Sequence, residues 1–214
     1  MIKKVNNLIG CSALALVAVV NANAQWDFEY SYPHIFAVTA DDYVFNTTNI
    51  QALDDGQNRY FVPIQNGIEA KITYHFAFTN TVTDAYLYSH IATYNFGGGN
   101  FGAGSLWGST DNTNWTLLMD APTPSRIDAG YFYDQHLPIS LLGDDDIYIQ
   151  ARLVANGSRV MAQFSRTDNT VPVQIFQFKA DVVPEPEMLS MVAAGSLFLL
   201  SRFRKGKRAS GLEK

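Results

Sequence analysis

Between residues 25 and 183, apolar positions come in short runs rich in aromatic and β-branched side chains, cut by Asn, Asp, Gly and Pro, with no helical period. Many short runs of this kind, separated by turn residues, predict an all-β fold: an antiparallel β-sandwich or jelly roll. Strands are expected at Phe36 to Thr39, Tyr43 to Asn46, Arg59 to Ile64, Glu69 to Thr79 and Ala85 to Tyr94. Further strands are expected at Ser105 to Ser109, Trp115 to Met119, Ile147 to Ala155, Arg159 to Ser165 and Val173 to Asp181. Loops fall at Asp54-Asp55-Gly56, Asn95 to Gly104, Ala121 to Ser125 and Gly143 to Asp146, and no internal repeat is visible.

One pair of runs can be taken further. If Asn80 to Thr83 is a four-residue hairpin loop, Ile72, Tyr74, Phe76 and Phe78 stand beside Ile91, Ser89, Leu87 and Ala85. That face is apolar and belongs in the core. The other face then gathers Thr73, His75 and Ala77 with His90, Tyr88 and Tyr86 as one outer polar-aromatic strip, with His75 opposite Tyr88.

The two ends follow a different pattern. Lys3 and Lys4 precede an apolar run from Leu8 to Val20, which ends in Ala22-Asn23-Ala24. This is the layout of a secretory signal peptide, an N-terminal helix cleaved after Ala24. The run is short for a membrane span, which needs about 20 residues. Cys11 precedes the bulk of the run, unlike the cysteine of a lipoprotein box, and is read as leader packing. It is the only cysteine, so the mature chain forms no disulfide.

After Val183 the order is Pro184-Glu185-Pro186, an apolar segment from Met188 to Leu200, and a basic cluster that includes Arg202, Arg204 and Lys205. This resembles the PEP-CTERM sorting signal of exported bacterial proteins, over about 25 residues; a plain tail anchor is the alternative. Prolines stop the preceding strand, the apolar segment forms a single hydrophobic helix, and the basic end stays cytoplasmic. The helix is short for a permanent span, which suits a temporary tether to the inner membrane. The resemblance implies that an exosortase, a membrane protease-transpeptidase, acts near Pro184-Glu185-Pro186. It also implies a Gram-negative source that makes an exopolysaccharide matrix. The expected organisation is therefore signal peptide 1–24, β-sandwich 25–183 and sorting signal 184–208.

Charge sharpens the choice of partner. The formal net charge of −5 conceals a core, residues 25–183, with seven bases and seventeen acids, hence −10. Such a surface repels polyanions, which argues against nucleic acid. Neutral glycans or calcium suit it better. Asp144-Asp145-Asp146 and Asp54-Asp55-Gly56-Gln57-Asn58 gather oxygen ligands of the kind a structural calcium ion needs, though acidic turns are usually just solvated.

The segment Ser109-Thr110-Asp111-Asn112-Thr113-Asn114-Trp115, between two apolar runs, is similar to the strand, Ser-x-Asp-x-x-x-Trp, strand segment of galactose-binding-like and discoidin-like jelly rolls. That resemblance implies a hairpin turn carrying Asp111, with Trp115 packed inward. Leu137-Pro138 to Arg152 similarly resembles the later strand pair of those domains. No ligand residue is transferred by it.

Catalytic constellations are thin. No Gly-x-Ser-x-Gly elbow marks a serine, only Glu29 and Glu69 are glutamates in the core, and the histidines lack zinc spacing. Gly97, Gly99 and Gly102 match Gly-x-Gly-x-x-Gly, but a strand follows them where a dinucleotide loop requires a helix. The sequence thus predicts a non-enzymatic exported protein of the cell surface or extracellular matrix that binds carbohydrate or other matrix components. A self-associating structural matrix protein and a matrix-remodelling glycoside hydrolase are the alternatives. Stacking and hydrogen bonding fall to Tyr86, Tyr88, His90, Asn100, Phe101 and Trp107.

Overall fold

The computed structural model describes residues 26–31, 42–54, 58–125, 127–168 and 176–183. The expected leader with Ala24 and Cys11, the strand at 36–39, Asp55 to Gln57 of one acidic loop, and the whole sorting signal from Pro184 onward lie outside them. Among the described residues are twelve strands: β1 (Phe28–Ser31), β2 (Val44–Thr48), β3 (Ile50–Asp54), β4 (Asn58–Pro63), β5 (Ala70–Ala77) and β6 (Val82–Gly97). They continue with β7 (Asn100–Ser109), β8 (Thr116–Ala121), β9 (Asp128–His136), β10 (Asp146–Asn156), β11 (Ala162–Asp168) and β12 (Phe176–Val182). Two single 3-10 turns, Ile139–Leu141 and Arg159–Met161, complete the described elements. None of these is long and apolar enough to cross a membrane.

All pairings are antiparallel and fall into two layers. Sheet B runs β2, β5, β10, β7, β8. Sheet A is built on β6, which has β9 along one edge and first β12, then β11, along the other. Beyond these lie β1 on β12 and β4 then β3 on β11.

The layers meet through alternating side chains. Ile72, Tyr74 and Phe76 of β5 and Ile147, Ile149, Ala151 and Leu153 of β10 face Leu87 and Ile91 of β6 and Phe176 and Phe178 of β12. Phe76 stacks on Phe178 with centroids 4.1 Å apart, and Tyr74 on Phe176 at 4.3 Å. Each aromatic ring so buried is worth about 1.5–3 kcal/mol of transfer free energy. The fold class read from the sequence therefore stands: an antiparallel β-sandwich.

The hairpin expected between β5 and β6 does not form. Both strands turn the expected residues inward, yet β5 lies between β2 and β10 in sheet B, and β6 lies in sheet A. Their apolar faces meet across the core instead of side by side. Alternation fixes which face is buried but not whether a partner lies beside the strand or opposite it. His75 and Tyr88 consequently stand on opposite outer surfaces.

One loop and one strand assignment also change. Residues 95–104 are not a long loop: β6 and β7 close directly, with Asn100 paired to Gly97. Gly98 and Gly99 sit between them at φ of 59° and 89°, the positive values a tight two-residue hairpin turn demands. The Leu137-Pro138 segment is a connection, not a strand: β9 ends at His136 in sheet A and β10 begins at Asp146 in sheet B.

Candidate functional site

Because Leu87, Ser89 and Ile91 of β6 point into the core, the intervening Tyr86, Tyr88 and His90 lie on the outer face of sheet A. From Tyr86 to His90 the strand covers roughly 13 Å. β9 places His136 opposite Tyr86, Asp134 opposite Tyr88 and Phe132 opposite His90. On the other flank β12 contributes Lys179 and Gln177 opposite the same two tyrosines. Trp26, just before β1, closes the row with its ring 6.3 Å from Tyr86 and 5.7 Å from His136.

Packing holds these groups in place. The His90 ring is 7% exposed and stacks on Phe132 with centroids 4.4 Å apart, whereas Phe132 is 58% exposed. Gly130 makes room for that histidine, since a Cβ there would come within 2.9 Å of His90 Nε2. His90 is thus a support, and Phe132 the surface it presents. Tyr88 stacks on the same phenylalanine at 6.3 Å.

Hydrogen bonds fix the polar groups. The Tyr86 hydroxyl donates to Asp134 Oδ1, and this bond to a carboxylate, helped by slight desolvation, pushes the phenol up to about 12. His136 Nδ1 lies 2.8 Å from Asp84 Oδ1, and Lys179 pairs with Glu29 at 3.6 Å. The face therefore carries Trp26, Tyr86, Tyr88 and Phe132, interleaved with Asp134, His136, Gln177 and Lys179. Aromatic rings with donors and acceptors between them can stack on a flat ring and bond its hydroxyls.

The remaining sequence candidates lie elsewhere. Asn100 and Phe101 flank the turn between β6 and β7, with Phe101 paired to Asn156 of β10. Trp107 projects from the outer face of sheet B, since Leu106 before it is buried. Its indole Nε1 donates to Ser105 Oγ at 2.8 Å, and the Arg152 guanidinium lies 4.4 Å from its ring centroid.

Trp115 departs from the inward packing that the resemblance implies. It is half-buried on that same outer face, 5.6 Å from the Arg152 guanidinium, because the register shift between Leu106 and Trp107 re-aims the start of β8. Asp111 does occupy the hairpin turn. Its carboxylate accepts from the Thr113 and Asn114 backbone amides at 2.8 and 2.7 Å, from the Asn114 side chain at 2.6 Å and from the Ser109 hydroxyl at 3.0 Å. These bonds hold the acid well below the ordinary carboxylate range.

Asp144 and Asp145 belong to the turn before β10, where their carbonyls accept from Val82 and Phe78 amides. Asp146 pairs with His75 at 2.5 Å. Among the described residues no three acidic or histidine side chains converge on a point where a metal ion would sit.

Sequence reasoning passed over β9, and with it Phe132, Asp134 and His136. Tyr131 and Tyr133 turn inward there while Gly130, Phe132 and Asp134 turn out, an alternation visible in Asp128-Ala129-Gly130-Tyr131-Phe132-Tyr133.

No family model and no curated protein matches this chain. Its fold is an all-β sandwich. Solved structures similar to it include a carbohydrate-binding module, CBM4, at 10% identity and TM-score 0.31, covering 72% of this chain and 86% of that one. An infectious bursal disease virus structure of the Gt strain aligns at 11% identity and TM-score 0.32, covering 85% and 50% respectively. A third is the CBM22-1 and GH10 modules of a Clostridium thermocellum endo-1,4-β-D-xylanase complexed with xylohexaose. It aligns at 15% identity and TM-score 0.26, covering 60% of this chain and 26% of that one. Similarity at this level carries nothing about ligand or activity.

Proposed function

We propose that this is an exported, non-enzymatic protein of a Gram-negative cell surface or extracellular matrix that binds neutral carbohydrate on the outer face of sheet A. The observation that carries the reading is the row of Trp26, Tyr86, Tyr88 and Phe132 with hydrogen-bonding groups between the rings. A pyranose ring stacks on such side chains, while each hydroxyl needs both a donor and an acceptor. Lys179 donates and Asp134 accepts. Buried neighbours hold the row rigid, which lowers the ordering cost of binding. The excess of acids over bases in residues 25–183 selects uncharged polymers over anionic ones.

The non-catalytic part of the reading rests on the sequence, where no Gly-x-Ser-x-Gly elbow marks a serine and residues 25–183 hold only two glutamates, Glu29 and Glu69. Export and delivery rest on the leader ending at Ala24 and the Pro184-Glu185-Pro186 tail, read as signals for secretion and for an exosortase at the inner membrane.

The test is affinity electrophoresis of the purified protein through gels containing neutral β-glucan, mannan or xylan, or polygalacturonate. Retardation by at least one neutral polymer is expected, weakened roughly tenfold or more by Phe132→Ala or Tyr88→Ala. Unretarded migration in every neutral gel would overturn the reading.

A further inference from the structure

The outer face of sheet B carries a second assembly of aromatic and polar side chains. β7 and β10 place Trp107 opposite Gln150 and Ser105 opposite Arg152. Gln150 is buried and donates to Thr73 Oγ1 at 2.8 Å, while its carbonyl oxygen accepts from Arg152 Nε at 2.6 Å. The chain Thr73–Gln150–Arg152 therefore fixes the guanidinium between Trp107 and Trp115. Nε is spent on Gln150, so the two Nη groups are what a ligand can engage. Arg152 borders a cleft of about 140 Å³ together with Glu69, Ser105 and Asp120.

This cleft offers donors and carboxylate acceptors together, and its Arg152 lies against both indole rings. Its charges balance: Glu69 is held by Lys71 at 2.9 Å, and Asp120 shares the cleft with Arg152. An anionic polymer would meet both carboxylates, whereas a neutral sugar can use both signs, donating to Asp120 and accepting from Arg152. A protein partner would require a contiguous apolar centre, and here the middle of the patch is charged.

Tyr88 and Trp107 project from opposite layers of the sandwich, and stacked sheets are already about 10 Å apart at their backbones. No single stretch of polymer lying on one face can touch both. We infer that sheet B carries a second neutral-glycan site around Trp107, Arg152 and Asp120, making the domain a bivalent cross-linker of polysaccharide chains. This rests on the carbohydrate reading of sheet A. Joining two chains through one rigid domain raises avidity for long polymers by about 10²–10⁴ without new contacts.

Two measurements on the full-length protein test it: calorimetric stoichiometry with short oligosaccharides cut from the retarding polymer, and precipitation of that polymer at full length. Wild type is expected to bind two oligosaccharides per chain and to precipitate the polymer. Trp107→Ala and, at the exposed rim where folding is not at stake, Asp120→Ala should each bind one and lose precipitation. Phe132→Ala should likewise keep one site, the one on sheet B. If Asp120→Ala and a folded Trp107→Ala match wild type while Phe132→Ala abolishes all binding, the second site is overturned and the first stands. If Phe132→Ala changes nothing and the sheet B variants abolish binding, the sheet A reading falls and bivalence with it. No binding by wild type to any neutral polymer overturns both.

Discussion

At the scale of single residues, one phenol and one acid show how local hydrogen bonding sets charge. Asp134 accepts from Tyr86, which raises the phenol to about 12 from an ordinary value near 10. A raised folded value means the bond contributes stability below about pH 10 and loses it as pH climbs towards 12. Asp134→Asn is expected to return Tyr86 towards the ordinary value, seen as phenolate absorbance appearing at lower pH. Asp111 behaves with the opposite sign. Its carboxyl is depressed by the amides of Asn114 and then Thr113, so its contribution is complete above its ordinary value of about 4 and fades as pH falls below that. Asp111→Asn should reduce the stability difference between pH 5 and pH 2.5 in urea unfolding. An unchanged acid dependence would show that the turn does not need the charge.

At the scale of elements, the strands were legible because aromatic and β-branched residues alternate with polar ones along β5, β6 and β10. Their partners were not. Ile72 and Leu87 announce a buried face, but the same alternation serves neighbours in one sheet and strands facing across a core. The outer strip was therefore half right: Tyr86, Tyr88 and His90 share a surface, while His75 is on the other side with Tyr148 stacked on it at 4.2 Å. The alternation of β9 is present in the sequence, but its outward Phe132 makes Tyr131-Phe132-Tyr133 an unbroken aromatic run with no polar face to mark the outside. Trp107 follows from alternation with the buried Leu106, whereas Trp115 lay outside what periodicity could settle, since its exposure depends on a register shift in β8 that no pattern encodes. The glycine run was read as a loop, although Gly-Gly between two strands is a hairpin signal. Just past that turn, a Cβ on Gly102 would come within 2.1 Å of the Met161 carbonyl oxygen. Gly102→Ala should cost about 1–3 kcal/mol as an overpacking change, measured by urea unfolding. Gly143→Ala meets nothing within 4 Å but has φ of 91°, and should cost about 1–2 kcal/mol through backbone strain alone.

At the scale of the whole molecule, the ends of the described fold lie together. β1 pairs with β12, and Asp27 Oδ2 accepts from the Val182 amide at 3.0 Å. Trp26 and Val183, the first and last described residues, therefore lie at the same end of the β1–β12 pair. If the tail is the sorting signal its sequence resembles, replacing Pro184, Glu185 and Pro186 together by alanine should leave the protein in the inner-membrane fraction. Equal amounts of wild type and variant in the medium or matrix would remove that assignment.

The pairing of β12 between β6 and β1 also decides how the domain bears a load. Val183, the last described residue, still donates its amide to the Thr81 carbonyl at 3.0 Å, so a pull applied in line from beyond it loads β12 along its own axis. The hydrogen bonds to β6 and β1 are then stretched together in shear instead of being peeled off one at a time. A protein gripped by its sheet face and tugged by its tail would yield last at the strand that joins the two.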